Sequence, residues 1–313
     1  MKLKVKYAMT AWMVGTEGKA QALAEQAEIA EQLGFHSIWL PEHHFTGEEA
    51  TPSPLLLLAA IASRTSHIRL GTTSYLLPIR HPIQAAEEVA VLDRLSNGRV
   101  ILGVGRGFRD ALFTTFDIPV HEKRKRFAAT LETMIRAWKG EALAREDSAD
   151  PVKQPIYLAP LPVQQPHPPI WAAAFGPLAI KQAGMFGLPY LASPRETEAE
   201  LASNYAHHQQ ALHEANHDPL ETIPVMRTVF ISRKANLIER VRQSLTAQGR
   251  SVSPDSTEAT VDEWALVGEP EFVAEGIARY QERLGMTHLI ARSRVGDVDQ
   301  KEVIQSMEFL ARM

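Results

Sequence analysis

Between residues 34 and 107, three apolar runs alternate with two helical patterns, and this alternation leaves few architectures open. The runs are 37–40, 68–74 and 100–104, and the helical patterns are 54–64 and 82–95, each opening on a proline, which suits a first helical turn. Strands separated by helices pair in parallel, and the loops that follow them open on one face of the sheet. Here those loops carry Glu42-His43-His44, Thr73-Ser74 and Gly105-Arg106-Gly107. Two histidines, a hydroxyl pair and an arginine between glycines are thereby delivered to one rim, where α/β folds bind their ligands.

The same alternation extends in both directions. A strand is expected at 4–9, a loop at 10–18, and a helix at 19–33 with Leu23, Ala27, Ala30 and Leu33 on one face, stopped by Gly34. Asn97-Gly98 makes the turn into the strand at 100–104. The stretch 108–169 is longer than one strand–helix unit needs. It holds a helix at 121–139 and a proline-rich segment around Ile156-Tyr157-Leu158, and it reads as an excursion on the rim. Regular alternation then resumes: strand 170–174, helix 178–186, strand 189–192, polar helix 196–216, strand 224–231 and helix 236–248. A polar loop at 251–260, a short extended piece at 264–267, helix 269–284, strand 288–291 and helix 301–312 complete the chain. Eight strands with intervening helices in 313 residues predict an α/β fold, a (β/α)8 TIM barrel with insertions forming one domain over 1–313. A doubly wound open sheet is the alternative. Trp39, Trp171 and Phe175 are expected to pack inside the barrel.

Composition removes several classes of function. The chain has no cysteine, so disulfides and thiol catalysis are excluded, and a metal site would rest on histidine and carboxylates. A net charge of -4 gives no reason to expect nucleic acid or an anionic membrane as partner. No run of about 18 apolar residues is present to span a membrane. The opening MKLKVKYAMTAWMVG carries no signal-peptide pattern, so a cytoplasmic location is expected.

Two motifs suggest other chemistry. His213-Glu214-Ala215-Asn216-His217 fits the H-E-x-x-H zinc spacing and would allow a zinc hydrolase through His213 and His217. The surrounding helix is mostly polar, however, and Asp218-Pro219 ends it directly after the second histidine. Gly103, Gly105 and Gly107 follow a strand but lack the full dinucleotide-loop spacing and its acidic residue.

An ordered set of short strings runs through the chain: Glu42-His43-His44-Phe45-Thr46, then Leu70-Gly71-Thr72 with Leu77-Pro78 and His81-Pro82, then Ala86-Glu87 with Leu92-Asp93. Ser96-Asn97-Gly98-Arg99, Gly105-Arg106-Gly107 and Phe186-Gly187-Leu188-Pro189 continue it. This set resembles the bacterial luciferase-like flavin monooxygenase family, most densely over 34–107. The Glu-His-His-Phe string is similar to the FMN-using branch rather than the deazaflavin-using one.

The resemblance implies a luciferase-like barrel that uses reduced FMN, supplied by a separate flavin reductase, and O2 to oxidise a small organic substrate. It also implies a homodimer. His43 matches the active-site histidine that serves acid/base chemistry beside the flavin, a role an imidazole titrating near neutral pH can fill. Thr73-Ser74 matches the position of a non-proline cis peptide under the flavin ring, and Arg106 the arginine that holds the flavin phosphate. After the fifth strand, luciferases place an acid and hydroxyls near that phosphate, whereas this chain has Ala174-Phe175-Gly176-Pro177-Leu178. Cofactor contacts there would come from backbone amides around Ala174 and Gly176. Ser193, after the sixth strand, is a further cofactor candidate. Two alternatives share the fold: a deazaflavin (F420)-dependent hydride-transfer enzyme and a flavin-binding protein without turnover.

Overall fold

The computed structural model describes residues 4–12, 19–143, 155–250, 259–296 and 298–313. The loop expected at 10–18 (from residue 13), residues 144–154 of the excursion and 251–258 of the polar loop lie outside the described residues. The strands, in chain order, are β1 (Lys6–Thr10), β2 (Ser37–Leu40), β3 (Arg69–Thr72), β4 (Tyr75–Leu76), β5 (Val100–Gly105), β6 (Ile170–Ala173), β7 (Tyr190–Leu191), β8 (Pro224–Ile231), β9 (Ala265–Gly268) and β10 (His288–Arg292). The helices are α1 (Lys19–Gln32), α2 (Pro54–Ala62), α3 (Pro82–Leu95), α4 (Asp110–Thr115), α5 (Lys123–Trp138), α6 (Pro177–Met185), α7 (Glu198–Glu214), α8 (Ala235–Gln248), α9 (Val261–Trp264), α10 (Pro270–Leu284) and α11 (Gln300–Ala311). Among the described residues no helix is long and apolar enough to cross a membrane.

The contacts divide the chain into two compact units, residues 40–170 and residues 1–39 with 171–313. In the first, β5 pairs in parallel with β3 (Leu70 opposite Val100) and with β4 (Tyr75 opposite Val104). All six residues of β5 are buried, as expected of a parallel strand covered on both faces. Arg99, just before β5, acts as a bolt. Its guanidinium donates to the carbonyls of Ser96, Ile68, Ala62 and Thr65 and to Thr65 Oγ1, at 2.7–3.0 Å. It therefore satisfies carbonyls that the end of α2 leaves without helical partners. Gln164 fastens the excursion to α3, its backbone and side-chain amides donating to the Asp93 carboxylate at 2.9 and 2.7 Å. The helix foreseen at 121–139 is α5, and α4 precedes it.

The strand expected over 68–74 is shorter, and a second short strand follows beyond it. β3 stops at Thr72, β4 starts at Tyr75, and the Thr73–Ser74 peptide between them is cis. The parallel ladder to β5 comes in two pieces, Leu70 and Gly71 against Val100 and Ile101, then Tyr75 and Leu76 against Val104 and Gly105.

In the second unit β1 lies between β2 and β10, β10 pairs onward with β8, and β8 with β9, all parallel. β6 pairs with β7. Every residue of β8 is buried. Trp39 and Trp171 are both buried and stack at 4.8 Å between ring centroids, 26° apart, with the His288 ring edge-on to Trp171 at 5.1 Å. Their expected packing role holds; Phe175 departs from it, being 47% exposed on the turn before α6. α7 starts with a reciprocal cap in which Glu200 N donates to Thr197 Oγ1 and Thr197 N to the Glu200 carboxylate.

Candidate functional site

Glu42 organises the rim of the 40–170 unit. It follows β2, and its carboxylate is wholly buried. Three donors converge on it: Arg80 Nη2 at 2.6 Å, His44 Nε2 at 2.7 Å and the Leu76 amide at 2.9 Å. Arg80 also lies over the Tyr75 ring at 3.9 Å, and the Tyr75 hydroxyl donates to Glu88 at 2.8 Å. Burial is the main cause that pushes the Tyr75 phenol well above its ordinary pKa, so it stays a donor at any working pH. The loop after β2 is thus tied to the segment that follows the cis peptide.

His43 is exposed, and its backbone pairs with Thr51, exchanging hydrogen bonds of 3.2 and 2.9 Å. The two adjacent histidines are therefore held differently: His44 by the buried carboxylate, His43 by a backbone bridge that leaves it at the surface. His44 also packs edge-on to Phe116 at 5.2 Å, with Phe45 beside both.

The cis peptide is held on both sides. Thr73 N donates to the Leu40 carbonyl at 2.8 Å. Ser74 sits directly against Gly105, where a Cβ atom would lie 2.0 Å from Ser74 Oγ. Glycine at 105 is needed for that approach, because any side chain would collide with Ser74. The ends of β2, β3 and β5 are thus laced together, and with them His43, Thr73, Ser74 and Arg106.

Arg106 is half-buried, and it has no hydrogen-bond or ion-pair partner among the described residues. Burial lowers its pKa, and the neighbouring positive charge of Arg124, in the first turn of α5, lowers it further. A half-buried arginine that faces a second arginine and no carboxylate is an arrangement suited to an anion.

The remaining sequence candidates belong to the other unit. Ala174 is buried. Gly176 is the N-cap of α6 with φ +74, and its carbonyl already accepts from the Ala179 and Ile180 amides. Ser193 is half-buried: its amide donates to Glu196 at 3.0 Å and its Oγ accepts from the Arg195 amide at 3.3 Å. Glu196 is buried against Tyr190, Ser193 and Asn204, and desolvation raises its pKa.

The zinc spacing does not survive folding. α7 ends at Glu214, Asn216 turns to a φ of +57, and His217 Nε2 lies 3.0 Å from the Met185 carbonyl. His213 and His217 therefore do not share a helix face, and no group of three potential metal ligands occurs among the described residues.

Sequence reasoning placed Glu42 on the rim without a role of its own, and it missed Arg80 and Arg124. A carboxylate placed directly after a buried strand calls for a cation, and Arg80 after Leu77-Pro78-Ile79 was the signal. Arg124 sits in the run Lys123-Arg124-Lys125-Arg126, in which only the helix phase distinguishes one cation from the next.

The model of the luciferase-like monooxygenase family matches residues 5–288. The oxygenase component of flavin-dependent trigonelline monooxygenase from Acinetobacter baylyi is 35% identical over 158 residues, 50% of this chain and 43% of that protein. This chain spans about half the length of the curated relatives it matches, 47%, 56% and 43% of the first three. Among solved structures, the oxygenating constituent of 3,6-diketocamphane monooxygenase from Pseudomonas putida, in complex with FMN, aligns with a TM-score of 0.80 at 21% identity, covering 100% of this chain and 98% of that one. An F420-dependent secondary alcohol dehydrogenase aligns with a TM-score of 0.75 at 19% identity, over 98% of each chain. These likenesses establish the fold as α/β of the TIM-barrel type, in agreement with the pattern of strands and helices.

Proposed function

From a chain that belongs to the luciferase-like monooxygenase family, we infer the oxygenase of a two-component system. It takes reduced FMN from a separate flavin reductase and uses O2 to oxidise a small organic substrate. The single observation that carries this reading is Arg106 at the end of β5, a half-buried guanidinium with no hydrogen-bond or ion-pair partner among the described residues and with the charge of the exposed Arg124 acting on it. A partly desolvated guanidinium without a partner is costly, and a phosphate dianion relieves that cost while accepting its forked N–H donors. These residues fit the phosphate of FMN.

When bound, the flavin supplies the electrons that activate O2. The chain supplies the surroundings. Arg106 and Arg124 hold the phosphate, and Thr73-Ser74, fixed through Leu40 and Gly105, offers a rigid backbone edge to the ring. His43 exchanges a proton with the reacting groups, while Glu42 keeps its neighbour His44 and the Leu76 amide in place. The family name and the relative described as an oxygenase component support both the chemistry and the external reductase. We place the reaction in the cytoplasm and in a homodimer, whose contact face we assign to Leu56 of α2 and to Val91 and Leu95 of α3. All three are exposed apolar side chains on adjacent helices.

The test is titration with FMN, oxidised and anaerobically reduced, against Arg106→Gln, with riboflavin as the phosphate-free control. The variant is expected to lose about tenfold or more in FMN affinity and little in riboflavin affinity. Equal FMN affinity in the variant would sink the assignment. Failure to bind FMN together with tight binding of F420, seen as absorbance near that cofactor's band, would transfer the site to the deazaflavin chemistry.

A further inference from the structure

We propose that Arg292, steadied by Thr228, and Arg195 form a binding site for the carboxylate of an organic substrate. All three lie in the unit formed by residues 1–39 and 171–313. Arg292 is the last residue of β10, in register with Thr228 of β8, and Arg195 stands in the loop after β7. Arg292 Nη1 donates to Thr228 Oγ1 at 3.3 Å, a long hydrogen bond, and that is its only partner among the described residues. A guanidinium carries five N–H donors, so most of its capacity is unspent although the side chain is largely withdrawn from water. The Arg195 side chain has no hydrogen-bond or ion-pair partner among the described residues. Burial lowers the Arg292 pKa, and the positive charges of Arg195 and Arg294 lower it further.

The charges of Arg292 and Arg195 are thus brought near one another, with no carboxylate bound to either among the described residues. The carboxylates on the same loop and helix are engaged elsewhere. Glu196 accepts from Tyr190, Asn204 and the Ser193 amide, and Glu200 pairs with Arg250. The backbone beneath Arg195 is pinned at both ends. The Arg195 amide donates to Ser193 Oγ at 3.3 Å and its carbonyl accepts from Arg250 Nη1 at 3.1 Å, while the buried Arg227 donates to the Ser193 carbonyl at 3.3 Å. The cation is therefore presented from a fixed loop. A planar guanidinium fork matches a carboxylate, which accepts two parallel N–H bonds from it. Thr228 is wholly buried, so its hydroxyl positions Arg292 and does not itself meet the ligand.

The word substrate rests on the oxygenase reading above; the anion site does not. Two sources of anion are separable, a substrate carboxylate and the flavin phosphate. The test is calorimetric titration of the intact protein, in a chloride-poor buffer, with benzoate and with its neutral isostere benzamide. Benzoate is expected to bind about tenfold or more tightly than benzamide. Arg292→Gln is expected to weaken benzoate by about tenfold and Arg195→Gln by about threefold, with benzamide and FMN affinities unchanged. Arg106→Gln should lose FMN and keep benzoate, so the two assignments fail independently. Equal affinity for benzoate and benzamide in the wild type overturns the proposal, as does benzoate binding retained in both variants. Loss of FMN but not riboflavin in Arg292→Gln also overturns it, by giving the site to the phosphate. If Arg292→Gln does not fold, Arg195→Gln and the wild-type comparison decide.

Discussion

Replacing Glu42 by glutamine tests the keystone of the rim. The carboxylate is completely buried and accepts from Arg80, His44 and the Leu76 amide. Glutamine keeps one oxygen and puts an NH2 group where the other stood, so one donor is set facing another. Removing one partner of a buried ion pair costs about 3–5 kcal/mol. Arg80 keeps 20% of its side chain exposed, which lets water recover part of that cost, and the remaining amide oxygen recovers more. The expected loss is therefore at the low end, about 3 kcal/mol. For a chain of this size that corresponds to a fall of roughly 5 °C in the midpoint of thermal unfolding. The assay is thermal unfolding of wild type, Glu42→Gln, Arg80→Met and the double variant, followed by far-UV circular dichroism. The cycle should show a coupling of about 2 kcal/mol, because the second substitution removes the charge that the first left stranded. A single-variant loss below about 1 kcal/mol, the range of an exposed pair, or an additive cycle would refute the reasoning.

Three further outcomes are expected. Gly105→Ala places a methyl group 2.0 Å from Ser74 Oγ and 2.9 Å from Ser74 Cβ, and should cost about 1–3 kcal/mol; Ser74→Gly in the same chain should restore most of it in a urea melt. Burial raises the Glu196 pKa above its ordinary 4.5, so the folded state holds this proton more tightly than the unfolded one, and its ionisation lowers stability as pH rises above that value. Glu196→Gln lacks that decline, and its stability measured against wild type from pH 4 to 8 should improve as pH rises; a constant gap would refute this. Leu95→Arg, with or without Leu56→Arg, should shift the sedimentation coefficient to that of a monomer while far-UV circular dichroism stays unchanged.

Much of the fold was legible because its punctuation is chemical. β2, β8 and α3 begin and end where the sequence places them, bounded by Gly34, Pro82 and Asn97-Gly98. The break after Thr72 was not legible from the apolar pattern, since Tyr75 and Leu76 continue the run and the peptide between Thr73 and Ser74 leaves no mark in hydrophobicity. The site shows the same division. His43, Ser74 and Arg106 follow from their positions at strand ends, but the choice of His44 over His43 as the partner of Glu42 depends on side-chain direction. Selecting Arg124 from its basic run depends on the rotation of α5, and recognising Arg292 depends on the register of β10 against β8. These are relations between elements, and no single segment contains them.

The stacked indoles of Trp39 and Trp171 make the molecule report on its own assembly. Of the five tryptophans, Trp12, Trp39, Trp171 and Trp264 belong to one compact unit, and Trp138, fully buried with its Nε1 donating to the Ala86 carbonyl at 3.0 Å, is alone in the other. Two indoles 4.8 Å apart and 26° from parallel share their excited states, so they give a paired dichroic band that vanishes once the rings part. The emission of Trp138 carries no such signature. Replacing Trp138 by phenylalanine silences one unit, and separating the stacked pair silences the band of the other. The order in which the two halves melt is thereby written in absorption and emission, without any added label.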